Sequence, residues 1–122
     1  MARLKLKLQL YCGDEIAMGP GKADLLEAIG REGSISAAGR ALGMSYRRAW
    51  LLVDTMNRCF RESLVEAHPG GGKAAGAKVT AAGSAALAAY RSLSGQVEQG
   101  AQGRDYEALE AAIRGEPLPP HA

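Results

Sequence analysis

Residues 35–54, ISAAGRALGMSYRRAWLLVD, limit the fold of this chain more than any other stretch. The spacing predicts a short helix from about Ser36 to Leu42, with Ala38, Ala41 and Leu42 available for close packing. Gly43-Met44-Ser45 then breaks it. Glycine enters the left-handed backbone region without a Cβ penalty, and a serine hydroxyl satisfies the free N–H groups of a following helix. That helix is predicted from Tyr46 to about Phe60, where Ala49, Val53, Met56 and Phe60 fall within about 60° of one another on a helical wheel and form a buried stripe. Arg47, Leu51, Asp54 and Arg58 lie roughly opposite. Small residues at 37–39 and 41 let the first helix lie close across the second. A helix-turn-helix is the arrangement these features describe.

The flanks extend it. LKLKLQL at residues 4–10 alternates apolar and polar with period two and predicts a strand, and a second extended piece is expected at Ile16–Met18 after a Gly13-Asp14 turn. Gly19-Pro20 opens a helix whose residues Leu25, Leu26 and Ile29 share a face and which Gly33 ends. Beyond Phe60, a strand is expected at Leu64–His68, a flexible turn at Pro69–Gly76 and a returning strand at Ala77–Val79. Thr80 then caps a long helix to about Val97, striped by Leu87, Tyr90, Leu93 and Val97. Gly100–Gly103 reads as a break. Residues 104–114 form a shorter helix with Tyr106, Leu109 and Ile113 in register, and a Pro-rich tail follows.

The projecting end of the second helix of the motif carries Ser45, Tyr46, Arg47 and Arg48. An arginine at that place can donate two hydrogen bonds to guanine or neutralise a phosphate. Tyrosine and serine hydroxyls can bond phosphate, and a helix start favours an anion. Arg40, on the preceding helix, is in reach of a nucleic-acid backbone. Leu51 points outward, either to contact a thymine methyl or as an ordinary exposed leucine, and Trp50 suits the core better than a base contact. PGGGKAAG, between two short strands, is a wing on which Lys73 and Lys78 can meet phosphates or a minor groove. The GxxxxGK[ST] pattern of a nucleotide-binding loop is absent from it.

Bulk charge is only +2, but its distribution is uneven. Residues 31–80 hold eight Lys/Arg against four acids, whereas residues 81–122 hold three against five. A basic centre followed by an acidic end fits a DNA-facing surface joined to an assembly element. Cys12 and Cys59 stand in unrelated segments with no metal-like spacing, and with two histidines beside them no metal site is expected. No nucleophile motif or histidine–acid pairing points to an enzyme. No cofactor is expected. Without a membrane-length apolar run or signal peptide, the chain is expected to be cytoplasmic.

GSISAAGRALGMSYRRAW, followed by LVEAHPGGGKAAGAKVTAAG, resembles the N-terminal DNA-binding domain of the ModE family of molybdate-responsive regulators, and more distantly that of LysR-type regulators. The resemblance runs from about Leu4 to Leu93. It implies a dimeric winged helix-turn-helix regulator, with the recognition positions on Ser45, Tyr46, Arg47 and Arg48, the wing on Gly70–Lys78, and the long helix from Ala81 contributing to dimerisation. It includes no counterpart of the family's molybdate-binding domain, and Ala74 and Ala75 stand in a wing that is often glycine throughout.

The expected fold is mainly α with small β elements, a winged helix-turn-helix with a long C-terminal dimerisation helix. The DNA-binding domain is expected over residues 1–98, a linker and short amphipathic helix over 99–115, and a disordered tail over 116–122. The expected partners are double-stranded DNA and a second copy of the chain. The alternative is a winged helix that binds another protein and does not read DNA.

Overall fold

The computed structural model describes residues 2–68 and 76–121. Strands β1 (Leu10–Cys12) and β2 (Glu15–Met18) form an antiparallel hairpin around Gly13. Three helices follow: α1 (Pro20–Glu32), α2 (Ile35–Ala41) and α3 (Tyr46–Cys59). A second antiparallel pair, β3 (Val65–His68) and β4 (Gly76–Val79), precedes the long α4 (Ala81–Gly100) and the short α5 (Arg104–Ala112).

Local chemistry accounts for the boundaries. Pro20 sits in the first turn of α1, where its missing N–H costs nothing. Gly33 closes that helix with φ of 77°, its N–H bonded to the Ile29 carbonyl. Ser34, Ser45 and Thr80 cap α2, α3 and α4, each side-chain oxygen accepting a backbone N–H three residues on. The expectation started α2 at Ser36; the Ser34 cap brings its start forward to Ile35.

The core lies where α1, α2 and α3 meet. Leu25, Leu26 and Ile29 of α1 pack with Ile35 and Ala38 of α2 and Ala49, Val53 and Met56 of α3, closed by Met18, Leu64, Val65 and Tyr90. Each fully buried leucine or isoleucine contributes about 1.5–3 kcal/mol. Phe60 and Trp50 are half-buried at the edge of this cluster. On α4 the expected stripe splits: Tyr90 is buried, Leu87 half-buried, and Leu93 and Val97 are exposed.

The expected strand over residues 4–10 does not form. Only Leu10 of it enters β1, and residues 4–9 pair with no strand among the described residues. A period-two pattern marks a two-faced segment but not its partner, and here the partner is a helix. The Tyr90 hydroxyl donates to the Leu8 carbonyl at 2.8 Å, and Leu6 and Leu8 line a hollow with Tyr90 and Val97 of α4. Two C-terminal boundaries also differ. α4 continues through Gly100, and α5 stops at Ala112, leaving Leu109 and Ile113 exposed.

The hairpin is fastened to α3 by charge. Arg58 donates from Nη1 and Nη2 to the two Glu15 carboxylate oxygens at 2.6 and 2.8 Å, and from Nε to Asp54 at 2.9 Å. The Arg58 guanidinium holds the Glu15 carboxyl below its ordinary value near 4.5, while Glu15 and then Asp54 raise Arg58. A depressed carboxyl stabilises the fold fully above the unfolded-state pKa and loses that contribution as pH falls through the folded-state value. Glu15→Gln is therefore expected to be less stable than wild type at neutral pH. The gap between their urea midpoints should close as pH drops below about 4.5. Because both side chains are half exposed, salt should narrow it too.

Candidate nucleic-acid interface

Gly43, with φ of 70°, turns the chain between α2 and α3, and the Met44 N–H returns to the Gly39 carbonyl at 2.9 Å. Gly39 is buried where the two helices cross. A Cβ there would stand 3.2 Å from the Ala49 Cβ, so the close approach depends on small residues at both positions. This crossing sends the start of α3 outward.

Ser45 caps that start, its Oγ accepting the Arg48 N–H at 3.1 Å. Ser45, Tyr46, Arg47 and Arg48 are all exposed. Tyr46 packs edge-on against Trp50, with ring centroids 6.1 Å apart, which steadies it one turn below the helix end. Leu51 is 54% exposed on the same helix. Arg40 lies exposed near the end of α2, its Nη1 donating to Ser36 Oγ at 2.8 Å. Among the described residues, Arg40, Arg47 and Arg48 have no carboxylate partner, whereas Arg58 and Arg91 are each shared between two acids.

Of the wing, Lys78 is exposed on β4; Lys73 lies outside the described residues, as does most of the Pro69–Gly76 turn. The stem of the wing is held from two sides. Asn57 of α3 accepts the Leu64 and Val65 N–H groups on Oδ1, at 2.8 and 3.2 Å, and donates to the Val65 carbonyl at 3.0 Å. On the other side the Ala77 N–H donates to the Gly33 carbonyl at 2.9 Å, tying β4 to the α1–α2 connection. These bonds fix the wing stem relative to α3.

Sequence reasoning missed three contributors. Asn57 appears in the sequence as one more polar residue on α3, and nothing there shows that its amide faces β3. Arg58, counted among the basic centre, is consumed by Glu15 and Asp54. Lys22, in the first turn of α1, is half-buried and close enough to Arg48 for the two cations to interact. Burial pushes its ammonium below the usual lysine range. Cys59 opposes that shift, Arg48 adds to it, and Glu15 opposes it.

With its capped helix pair, glycine turn and two-stranded wing stem, the chain is a winged helix-turn-helix domain. The chain of a crystal structure titled CbnR_DBD-DNA complex superposes with a TM-score of 0.55 at 19% identity, covering 76% of this chain and 97% of that one. The likeness carried by GMSYRRAW and its flanks is borne out by relatives named ModE and MopA. The chain is similar to the molybdenum-pterin-binding protein MopA of Rhodobacter capsulatus, 46% identical over 78 residues, or 64% of this chain and 29% of that protein. It is also similar to the DNA-binding transcriptional dual regulator ModE of Escherichia coli K12, 35% identical over 96 residues, or 79% of this chain and 35% of that protein. The chain thus spans about a third of the length of the curated relatives it matches. No protein-family model matches it.

Among the described residues no helix is long and apolar enough to cross a membrane, and no group of three or more His, Cys, Asp or Glu side chains could hold a metal ion.

Proposed function

We propose that this domain binds double-stranded DNA as a transcriptional regulator, reading sequence with the start of α3 in the major groove. The observation that carries the reading is the pair Arg47 and Arg48, exposed at a capped helix start and without a carboxylate partner among the described residues. An arginine already bound to acids would have to give them up before meeting guanine or phosphate; these two would not. The DNA-binding regulator ModE, similar over 79% of the chain, supports the same reading.

In this reading Arg47 and Arg48 contact bases and phosphates, and Ser45 and Tyr46 position the phosphate backbone. Arg40 touches the backbone from α2, and Leu51 meets a thymine methyl. Lys73 and Lys78 of the Gly70–Lys78 wing reach phosphates beside the groove. The domain acts as a homodimer through α4, where Leu93 and Val97 stay exposed beside an apolar hollow formed with Leu10 and Phe60. A two-fold dimer meets two half-sites about one helical turn apart.

The test is binding to duplex DNA as a function of salt. Each protomer offers Arg40, Arg47, Arg48, Lys73 and Lys78. If about six to ten of the dimer's cations sit on phosphates, affinity falls about 10³–10⁵-fold between roughly 50 and 200 mM salt. Weak binding that salt leaves unchanged would contradict DNA recognition and favour a protein partner that covers the exposed Leu51 or the exposed face of α4.

A further inference from the structure

Cys12 and Cys59 are far apart in sequence and adjacent in space. Cys12 ends β1 directly across the hairpin from Glu15. Both Glu15 carboxylate oxygens are held by Arg58, the residue before Cys59 at the end of α3. This bidentate contact brings the tip of the hairpin onto the last turn of α3, so that Cys12 stands close enough to raise the Cys59 thiol. Both cysteines are free; Cys12 is exposed and Cys59 half-buried.

We propose that Cys12 and Cys59 form a redox modification site, oxidised by a low-molecular-weight disulfide such as glutathione disulfide to an intramolecular bond that fastens the β1–β2 hairpin to the end of α3. Exposure makes Cys12 the first to react. Its thiol gives a proton to solvent, and the thiolate attacks one sulfur of glutathione disulfide. The glutathione S–S bond breaks, and one glutathione leaves as thiolate and takes up a proton. Cys59 then gives up its proton and attacks the Cys12 sulfur, releasing the second glutathione in the same way. Two protein thiols are oxidised by two electrons in all, and one glutathione disulfide is reduced to two glutathione molecules.

Two features favour this order. Burial first, and the neighbouring Cys12 next, push the Cys59 thiol up, so it is the poorer first nucleophile and reacts second, when the sulfur it attacks is already held beside it. Arg58 and Glu15 already hold the two segments together, so closing the bond asks little further ordering of the chain. The start of α3 lies about 20 Å away, at about 1.5 Å per residue, so the bond leaves Ser45 to Arg48 free.

The experiment treats the full chain with glutathione disulfide, then blocks remaining thiols under denaturing conditions and weighs the product. Wild type is expected to lose both reactive thiols and two hydrogens while staying monomeric on a non-reducing gel. Its thermal midpoint should rise by about 10 °C, reversibly with dithiothreitol. Cys59→Ser should instead carry one glutathione on the exposed Cys12, and Cys12→Ser, left with the half-buried Cys59, should take up glutathione more slowly than Cys59→Ser. A wild-type product that carries glutathione on both cysteines, or that is linked only between chains, would overturn the proposal. So would an internal disulfide that leaves the midpoint unchanged or lower, because the bond would then not fit the folded hairpin.

Discussion

Gly83→Ala should destabilise the domain by about 3 kcal/mol, lowering its thermal midpoint by about 12 °C. Gly83 lies in the first turn of α4, buried against Leu64 and against Val79 of β4. A Cβ there would stand 2.2 Å from the Leu64 carbonyl oxygen and 2.7 Å from a Val79 methyl. The nearer atom belongs to the backbone, and the same carbonyl accepts the Thr80 N–H at 2.9 Å, so it cannot move without loosening the helix cap. Alanine gains about 1 kcal/mol over glycine in a helix, which is too little to offset such an overlap. Gly95 supplies the comparison within the same helix. A Cβ there meets nothing within 4 Å, so Gly95→Ala should stabilise by about 0.5–1 kcal/mol. Opposite signs in thermal melts of the two variants would show that contact with Leu64 and Val79, and not helix propensity, sets the position of α4. Equal effects would contradict it.

The second large effect is on binding. Arg47→Ala/Arg48→Ala should weaken binding to a specific site by about 2–6 kcal/mol per half-site, at least about 30-fold, because each base-reading arginine is worth about 1–3 kcal/mol. Stability should hardly change, since both side chains are exposed and lack ion-pair partners among the described residues. Arg104→Ala, which removes an exposed charge at the start of α5, serves as the control, with an expected loss below about threefold. A double variant that binds as the control does would remove the start of α3 from the interface.

The helix-turn-helix was legible because its determinants are local. Gly43 and Ser45 announce the turn and cap, the alanines announce a close crossing, and the spacing of Ala49, Val53 and Met56 announces the buried face. The exposed Arg47 follows from the same spacing, and Arg48 beside it from the turn that projects the helix start. What stayed hidden depends on contacts between distant segments. LKLKLQL has the period of a strand, yet its Leu8 carbonyl is taken by Tyr90 of α4, and no local signal names that partner. Arg58 looks in sequence like Arg47 and Arg48, and only the folded hairpin brings Glu15 to it and takes its charge out of the basic face. Cys12 and Cys59 likewise have unrelated neighbours until that hairpin docks. Asn57 belongs with them, because its value lies in three bonds to Leu64 and Val65 at the start of the wing stem.

Selection from a pool of random DNA duplexes, at low and at moderate salt, tests sequence reading by α3 most directly. The expected result is enrichment of a two-fold symmetric site with half-sites about one helical turn apart, lost with Arg47→Ala/Arg48→Ala. A pool in which no sequence is enriched, bound equally by wild type and the double variant, would contradict recognition through Ser45, Tyr46, Arg47 and Arg48.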